Sequence, residues 1–184
     1  MSQARSTVLR HAVVAFGANL PWRGSPPEQT IREAARMMAG RSDITAFEAS
    51  RLWQSTPVNA EGPNFINAVA QFDTRLTAQD LLDWLLSVER AYGRERPQRP
   101  APGHPSAART LDLDLIWMTG IRLETPELTL PHPRATQRGF VLGPLMDIAP
   151  ELGLPDESGQ HQTVADWWRQ LPVDALLSPL EPMR

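Results

Sequence analysis

The order of patterns along the chain predicts an α+β fold, a sheet with helices packed on it. Four apolar segments, residues 8–16, 44–53, 65–74 and 111–118, read as strands by their alternation and by the turn residues that bound them. Two stretches with helix-start signatures and an apolar stripe lie between the first and second strands and between the third and fourth. The resulting succession β-α-β-β-α-β, with additions at the C-terminal end, is that of a sheet covered by helices. A chain of 184 residues without internal repeat is expected to form one domain, 1–184, large enough to bury a core.

The elements follow in order. Residues 8–16 alternate and then run apolar, leaving into a turn at Gly17-Ala18-Asn19. Ser25-Pro26-Pro27-Glu28 predicts a helix start with Ser25 as cap, a proline in the first turn and a glutamate three residues on; the helix runs to about Met38 and stops near Gly40. Strands 44–53 and 65–74 are joined through Pro57 and Gly62-Pro63. Thr77-Ala78-Gln79-Asp80 caps a second helix, whose stripe of Leu81, Leu82, Leu85, Leu86 and Val88 ends at Gly93. Residues 94–108 hold four prolines, a glycine and four charged residues, which excludes a regular element. After the strand at 111–118, residues 124–137 are broken by Pro126, Pro131 and Pro133, residues 138–148 form a short helix or turn-rich segment, and 163–169 a last helix.

Composition narrows the function classes. Hydrophobic residues make up 41% and charged residues 21%, an ordinary globular balance. A formal net charge of -3 argues against nucleic acid as the main partner. The absence of cysteine excludes disulfides, thiolate metal sites and cysteine nucleophiles. No stretch reaches the roughly 20 apolar residues of a membrane helix. The polar first ten residues lack a signal-peptide core, so a cytoplasmic protein is expected. All eighteen basic residues are arginine, so a basic side chain on phosphate must be Arg or His, and a Walker-type lysine is excluded.

The sharpest chemical feature is Arg109-Thr110-Leu111-Asp112-Leu113-Asp114-Leu115-Ile116. On a strand, Asp112 and Asp114 project to one face, about 7 Å apart along the chain, while Leu111, Leu113 and Leu115 point to the other. Two carboxylates facing one cleft suit divalent cations held on oxygen; the same spacing also fits the solvated edge of an amphipathic strand. Arg94, Arg96, Arg99 and Arg109 precede the pair, and acidic metal ligands beside guanidinium groups suit a triphosphate; a basic loop with no ligand is the other reading. His132, between Pro131 and Pro133 with Arg138 six residues on, is either a phosphate donor or a turn cap. Asn67, a polar amide in an apolar strand, either pairs with the edge of a heterocycle or bonds a neighbouring loop. Phe65 shares its face and can support a flat ring.

Taken together, these segments resemble the 6-hydroxymethyl-7,8-dihydropterin pyrophosphokinase family of folate biosynthesis. The resemblance spans residues 13–152, with 153–184 as a C-terminal helix and tail. Its strongest piece is Arg109 to Leu115. Supporting pieces, in matching order, are Phe16-Gly17-Ala18-Asn19-Leu20, Ser55-Thr56-Pro57-Val58, Phe65-Ile66-Asn67-Ala68-Val69, Glu89 with Gly93-Arg94, Leu130-Pro131-His132-Pro133 and Arg138-Gly139-Phe140-Val141-Leu142.

The resemblance implies a ferredoxin-like fold with a long catalytic loop, and diphosphate transfer from ATP to the pterin alcohol, giving AMP. It implies that Asp112 and Asp114 hold two Mg2+ ions and that Asp114 helps take the hydroxyl proton. Arg94, Arg96 and Arg109 match family positions on the phosphates. His132, Arg138 and Glu89 match other nucleotide positions, and the backbones of Thr129 and Leu115 match those serving adenine. On the pterin side, Asn67 matches the residue that reads the ring edge, Phe65 and Phe140 the aromatic pair around it, and Ser55, Thr56 and Val58 the loop lining its pocket. The expected partners are these two small molecules, with a monomeric chain and neither nucleic acid nor membrane. The chain departs from the pattern in its longer, proline-rich stretch between Arg96 and Arg109, at Ser106, where a tryptophan is familiar, at Ala107-Ala108, and at Glu127, where an arginine can stand. The altered loop motivates one alternative, a paralogue that binds pterin or nucleotide without turnover. Another, a nucleotidyl-transfer or nucleic-acid enzyme, arises because ferredoxin-like palms also carry paired aspartates, and the acidic net charge weighs against it.

Overall fold

The computed structural model describes residues 8–56, 62–94 and 109–172, and the backbone of 178–179. The elements are β1 (Arg10–Ala18), α1 (Pro27–Ala39), β2 (Ile44–Ala49), β3 (Trp53–Ser55), β4 (Phe65–Thr74), α2 (Ala78–Ala91), β5 (Asp112–Met118), β6 (Leu123–Glu124), β7 (Thr129–Leu130), α3 (Gly139–Ile148), β8 (Gly153–Pro155), β9 (His161–Thr163), α4 (Val164–Gln170) and β10 (Ser178–Pro179). A short 3-10 turn, Ala135–Gln137, precedes α3.

The main sheet has six strands in the order β10-β3-β4-β1-β5, with β2 also paired to β4, and every pairing is antiparallel. β1 and β4 occupy the middle, and both their faces are covered, which is why their sequences run almost continuously apolar. One face carries Val14, Phe16, Ala68, Phe72, Leu113 and Leu115 against Ile31 and Met38 of α1 and Leu81 and Leu85 of α2. The other carries Val13, Ala15, Val69 and Ile116 against Val141, Leu142 and Leu145 of α3 and Val164 and Trp167 of α4. The chain is thus three layers, with α1 and α2 below the sheet and α3 and α4 above it. Among the described residues no helix is long and apolar enough to cross a membrane.

Several expectations are met residue by residue. β4 spans the predicted 65–74, and Thr77 caps α2 by accepting the Asp80 amide at 3.1 Å. Leu111, Leu113 and Leu115 are buried, as their alternation with the aspartates requires.

Other boundaries move for local reasons. β1 continues through Gly17 and Ala18 because their backbones still pair with Asn67 and Ile66 of β4. Ser25 is not the cap of α1: Pro26 occupies that position without a side-chain bond, and Ser25 pairs with Trp22 across a turn where Arg23 and Gly24 have φ of 48° and 86°. The expected strand 44–53 is two strands. Ser50 Oγ accepts the Val69 amide at 3.0 Å, replacing a ladder carbonyl, and Ala46 at φ 51° marks a register shift on β2. The segment 124–137, predicted irregular, contains β7, which forms a hairpin with β6. A second hairpin, β8 with β9, lies in the C-terminal region.

Candidate active site

The site is built at one end of three neighbouring strands, β4, β1 and the edge strand β5, on the face covered by α3. Gly17 of β1 lies opposite Asn67 of β4 on one side and Asp112 of β5 on the other. Residues directly opposite on neighbouring strands project to the same face. Asn67 and Asp112 therefore stand two strand spacings apart, about 10 Å, with a glycine between them. A Cβ on Gly17 would lie 3.8 Å from Asn67 Oδ1 and 3.8 Å from Asp112 Cβ, so the missing side chain leaves the floor between them clear. One step along, Ala15 lies opposite Val69 and Asp114, which puts Asp114 on this face too.

Asn67 is 4% exposed, and its amide nitrogen donates to Ser55 Oγ at 2.9 Å. That bond orients the amide plane. Phe65 shares the face by its spacing from Asn67, and α3, which carries Phe140, packs on β4. Among the described residues Phe65 and Phe140 make no ring-to-ring contact; the Arg138 guanidinium lies over the Phe140 ring, 5.2 Å from its centre. Ser55 is buried at the end of β3 and Thr56 is exposed just beyond it.

On the other side the charges are tightly paired. The two Asp112 oxygens accept from Arg94 and Arg109, one each. Arg94 also donates to Glu89, which is 1% exposed and accepts the Leu113 amide at 2.8 Å. Glu89, expected on the nucleotide side, thus reaches the site through Arg94 and pins β5 beside Asp112. Asp114 is freer: Arg138 approaches it at 3.7 Å. Burial, then the neighbouring Asp112 charge, pushes the Asp114 carboxyl above its ordinary range, against the opposing pull of Arg138, Arg109 and Arg94.

His132 sits beside these groups because its backbone amide donates to Ile116 O of β5 at 2.8 Å. Its Nδ1 accepts the Arg134 amide at 3.1 Å, so the neutral ring carries its proton on Nε2, which faces Arg138 Nη1 at 3.4 Å. With Nε2 protonated, this is one donor set against another, an arrangement that an anion accepting from both would relieve. Burial, with Arg138 and Arg134 adjacent, pushes the His132 pKa from 6.5 down to about 4. Along the outer edge of β5, a cleft of about 250 Å3 is lined by Leu82 of α2, Leu113, Asp114 and Leu115 of β5, and Thr129, His132 and Glu127 beside the β6–β7 hairpin.

The family model of HPPK, 7,8-dihydro-6-hydroxymethylpterin-pyrophosphokinase, matches residues 13–150. The chain belongs to this family. The 2-amino-4-hydroxy-6-hydroxymethyldihydropteridine pyrophosphokinase of Pseudomonas aeruginosa is 37% identical over 155 residues, covering 84% of this chain and 88% of its own. The enzyme of the same name from Bacillus subtilis is 30% identical over 166 residues, covering 89% of this chain and 93% of its own. A solved HPPK-DHPS from Plasmodium falciparum superposes with a TM-score of 0.61 at 12% identity, over 92% of this chain and 45% of that one, and shares the fold. The chain spans under half the length of that Plasmodium protein.

Within this HPPK-family chain the structure gathers Asn67, Ser55, Asp112, Asp114, Arg94, Arg109, Glu89, His132 and Arg138 at one end of the sheet, and Leu115 and Thr129 along the edge cleft. Arg96 and Val58 lie outside the described residues, as do Arg99 and Ser106. Sequence reasoning passed over Gly17 and Arg134 as site residues. A glycine inside an apolar strand signals a close approach, and that was the available clue for Gly17; Arg134 acts through its backbone and charge, which no motif marks. Among the described residues no group of three or more His, Asp or Glu converges. Asp112 and Asp114 nevertheless suit magnesium, an ion commonly held by one or two carboxylates with phosphate and water supplying its other ligands.

Proposed function

We propose that the chain transfers a diphosphate group from ATP to 6-hydroxymethyl-7,8-dihydropterin, giving AMP and the pterin diphosphate, as one pyrophosphokinase domain in folate biosynthesis. The carrying observation is the row Asn67, Gly17, Asp112: an oriented amide and a carboxylate pair on one face, held apart by a residue without a side chain, in a chain of this family.

The division of labour joins this geometry to the roles that the family resemblance implies, which for Val58 and Arg96 rest on the resemblance alone. Asn67 reads the ring edge, with Phe65 and Phe140 against its faces and Ser55, Thr56 and Val58 lining the pocket wall. The nucleotide lies along the β5 edge cleft, its base beside Leu115 and Thr129 and its phosphates at His132 Nε2–H and Arg138. Asp112 and Asp114 would hold two Mg2+ ions, which would supply positive charge to the triphosphate. The pterin hydroxyl oxygen forms the new bond to the β-phosphorus, the bond from that phosphorus to the oxygen bridging to the α-phosphate breaks, and AMP departs with that oxygen. We assign removal of the hydroxyl proton to Asp114. Arg94 and Arg109 already donate to a carboxylate and exchange that partner for phosphate oxygens, with Arg96 joining them. The strand order and antiparallel pairing support a ferredoxin-like arrangement, and we place the domain in the cytoplasm as a monomer.

The test is AMP formation from ATP, the pterin alcohol and magnesium. Asp112→Ala and Asp114→Ala each remove turnover while the circular dichroism of the fold is retained. Near-normal turnover in either variant disproves the metal assignment.

A further inference from the structure

Asn19, two residues beyond Gly17, is 5% exposed, and its side chain bonds two separate segments. Its Oδ1 accepts the Arg109 amide at 2.7 Å, and its Nδ2 donates to the Pro63 carbonyl at 3.2 Å. The Asn19 and Leu20 amides in turn donate to Arg109 O at 2.9 and 3.0 Å. Arg109 pairs with Asp112 three residues later, and Pro63 lies two residues before Phe65 and four before Asn67. One amide therefore joins the segments that lead into β5 and into β4, the two strands flanking Gly17.

We propose that Asn19 is a positioning residue that registers the pterin side of the site against the phosphate side. The inference rests on the proposed function. The chemistry demands asparagine. Aspartate keeps an acceptor for the Arg109 amide and loses the donor to Pro63. Alanine loses both. Glutamine places the same atoms one bond further out. The two tethers can thus be cut separately, which a side chain serving only core packing would not permit.

The experiment compares wild type, Asn19→Asp and Asn19→Ala by steady-state kinetics in both substrates and by hydrogen exchange of the Arg109 amide without ligand. In Asn19→Asp the Arg109 amide stays protected and KM for ATP is unchanged. Its KM for pterin rises about three- to tenfold, the worth of one neutral hydrogen bond. In Asn19→Ala the Arg109 amide exchanges faster, KM for ATP also rises and kcat falls. Equal effects on both substrates in Asn19→Asp, or lowered thermal stability with both KM values unchanged, overturn the proposal. Should Asn19→Ala not fold, Asn19→Asp alone decides. Absence of AMP formation in the wild type defeats the functional reading instead, and leaves the exchange measurement to judge the Arg109 tether.

Discussion

His132 shows how a single side chain acquires its role from neighbours rather than from its own chemistry. An Arg134 backbone donor fixes its tautomer, and burial beside two arginines keeps it neutral. Its pKa, depressed from 6.5 to about 4, means that the unfolded chain binds this proton more tightly than the folded one. The stability His132 contributes is therefore complete above pH 6.5 and is lost as pH falls from there towards 4. The loss amounts to roughly 3 kcal/mol at most. An NMR titration of the unliganded protein should find one imidazole, protonated on Nε2, that stays neutral until about pH 4. Urea unfolding of His132→Gln should show a smaller drop in midpoint between pH 7 and 5 than wild type. Equal drops dispose of the assignment.

Elements position these residues, and α3 does so from an anchor far from its functional end. Phe140 and Arg138 lie at its N-terminus, while Asp147, near its C-terminus, accepts from the Arg51 amide at 3.1 Å, the Arg51 guanidinium at 2.7 Å and the Trp53 indole at 2.9 Å. Burial alone would raise the Asp147 carboxyl; the donors from Arg51 and Trp53 outweigh it and hold the group below its ordinary range. Its stabilisation is present above the unfolded carboxyl pKa and is lost as pH falls through the folded one. Asp147→Ala should cost about 1–3 kcal/mol, because the Trp53 indole loses its acceptor. It should also weaken pterin binding, measured by calorimetry, because Phe140 rides on the loosened helix. Unchanged melting and unchanged affinity together would remove α3 from the site's support. At this scale local signals were readable where a side-chain bond realises them, and misled at Ser25, whose capping position Pro26 takes. Thr77 and Asp80 mark the start of α2 through a side-chain bond three residues long, and β4 shows its ends by polarity. The break at Ser50 and the hairpins β6–β7 and β8–β9 depend on partners distant in the chain: Val69 for Ser50, and short two- or three-residue ladders that carry no periodicity.

At the scale of the whole molecule, the sheet separates stability from chemistry by face. Phe16 and Phe72 are almost fully buried against α1 and α2, and each contributes roughly 1.5–3 kcal/mol by leaving water. The opposite face, at the end of the same strands, is where Asn67, Gly17, Asp112 and Asp114 stand. Motif residues on that face were legible because carboxylates and an amide are conspicuous among apolar neighbours. Asn19 and Glu89 were less so: one appeared as a turn residue and the other as a nucleotide contact, and only the crossing of strands shows that both act by holding arginine segments. Gly17→Ala tests the separation of faces directly. The new Cβ meets Asn67 Oδ1 and Asp112 Cβ at ordinary van der Waals distance, and Gly17 is in the interior of a strand, where alanine is favoured over glycine by roughly 0.5–1 kcal/mol. The variant should melt no lower than wild type. Its methyl group stands in the floor between the two substrates, so turnover should fall by about tenfold or more through misplaced reacting groups. Wild-type kcat and both KM values in a folded Gly17→Ala protein would show that the reacting groups do not meet across this row, and would move the transfer elsewhere on the sheet.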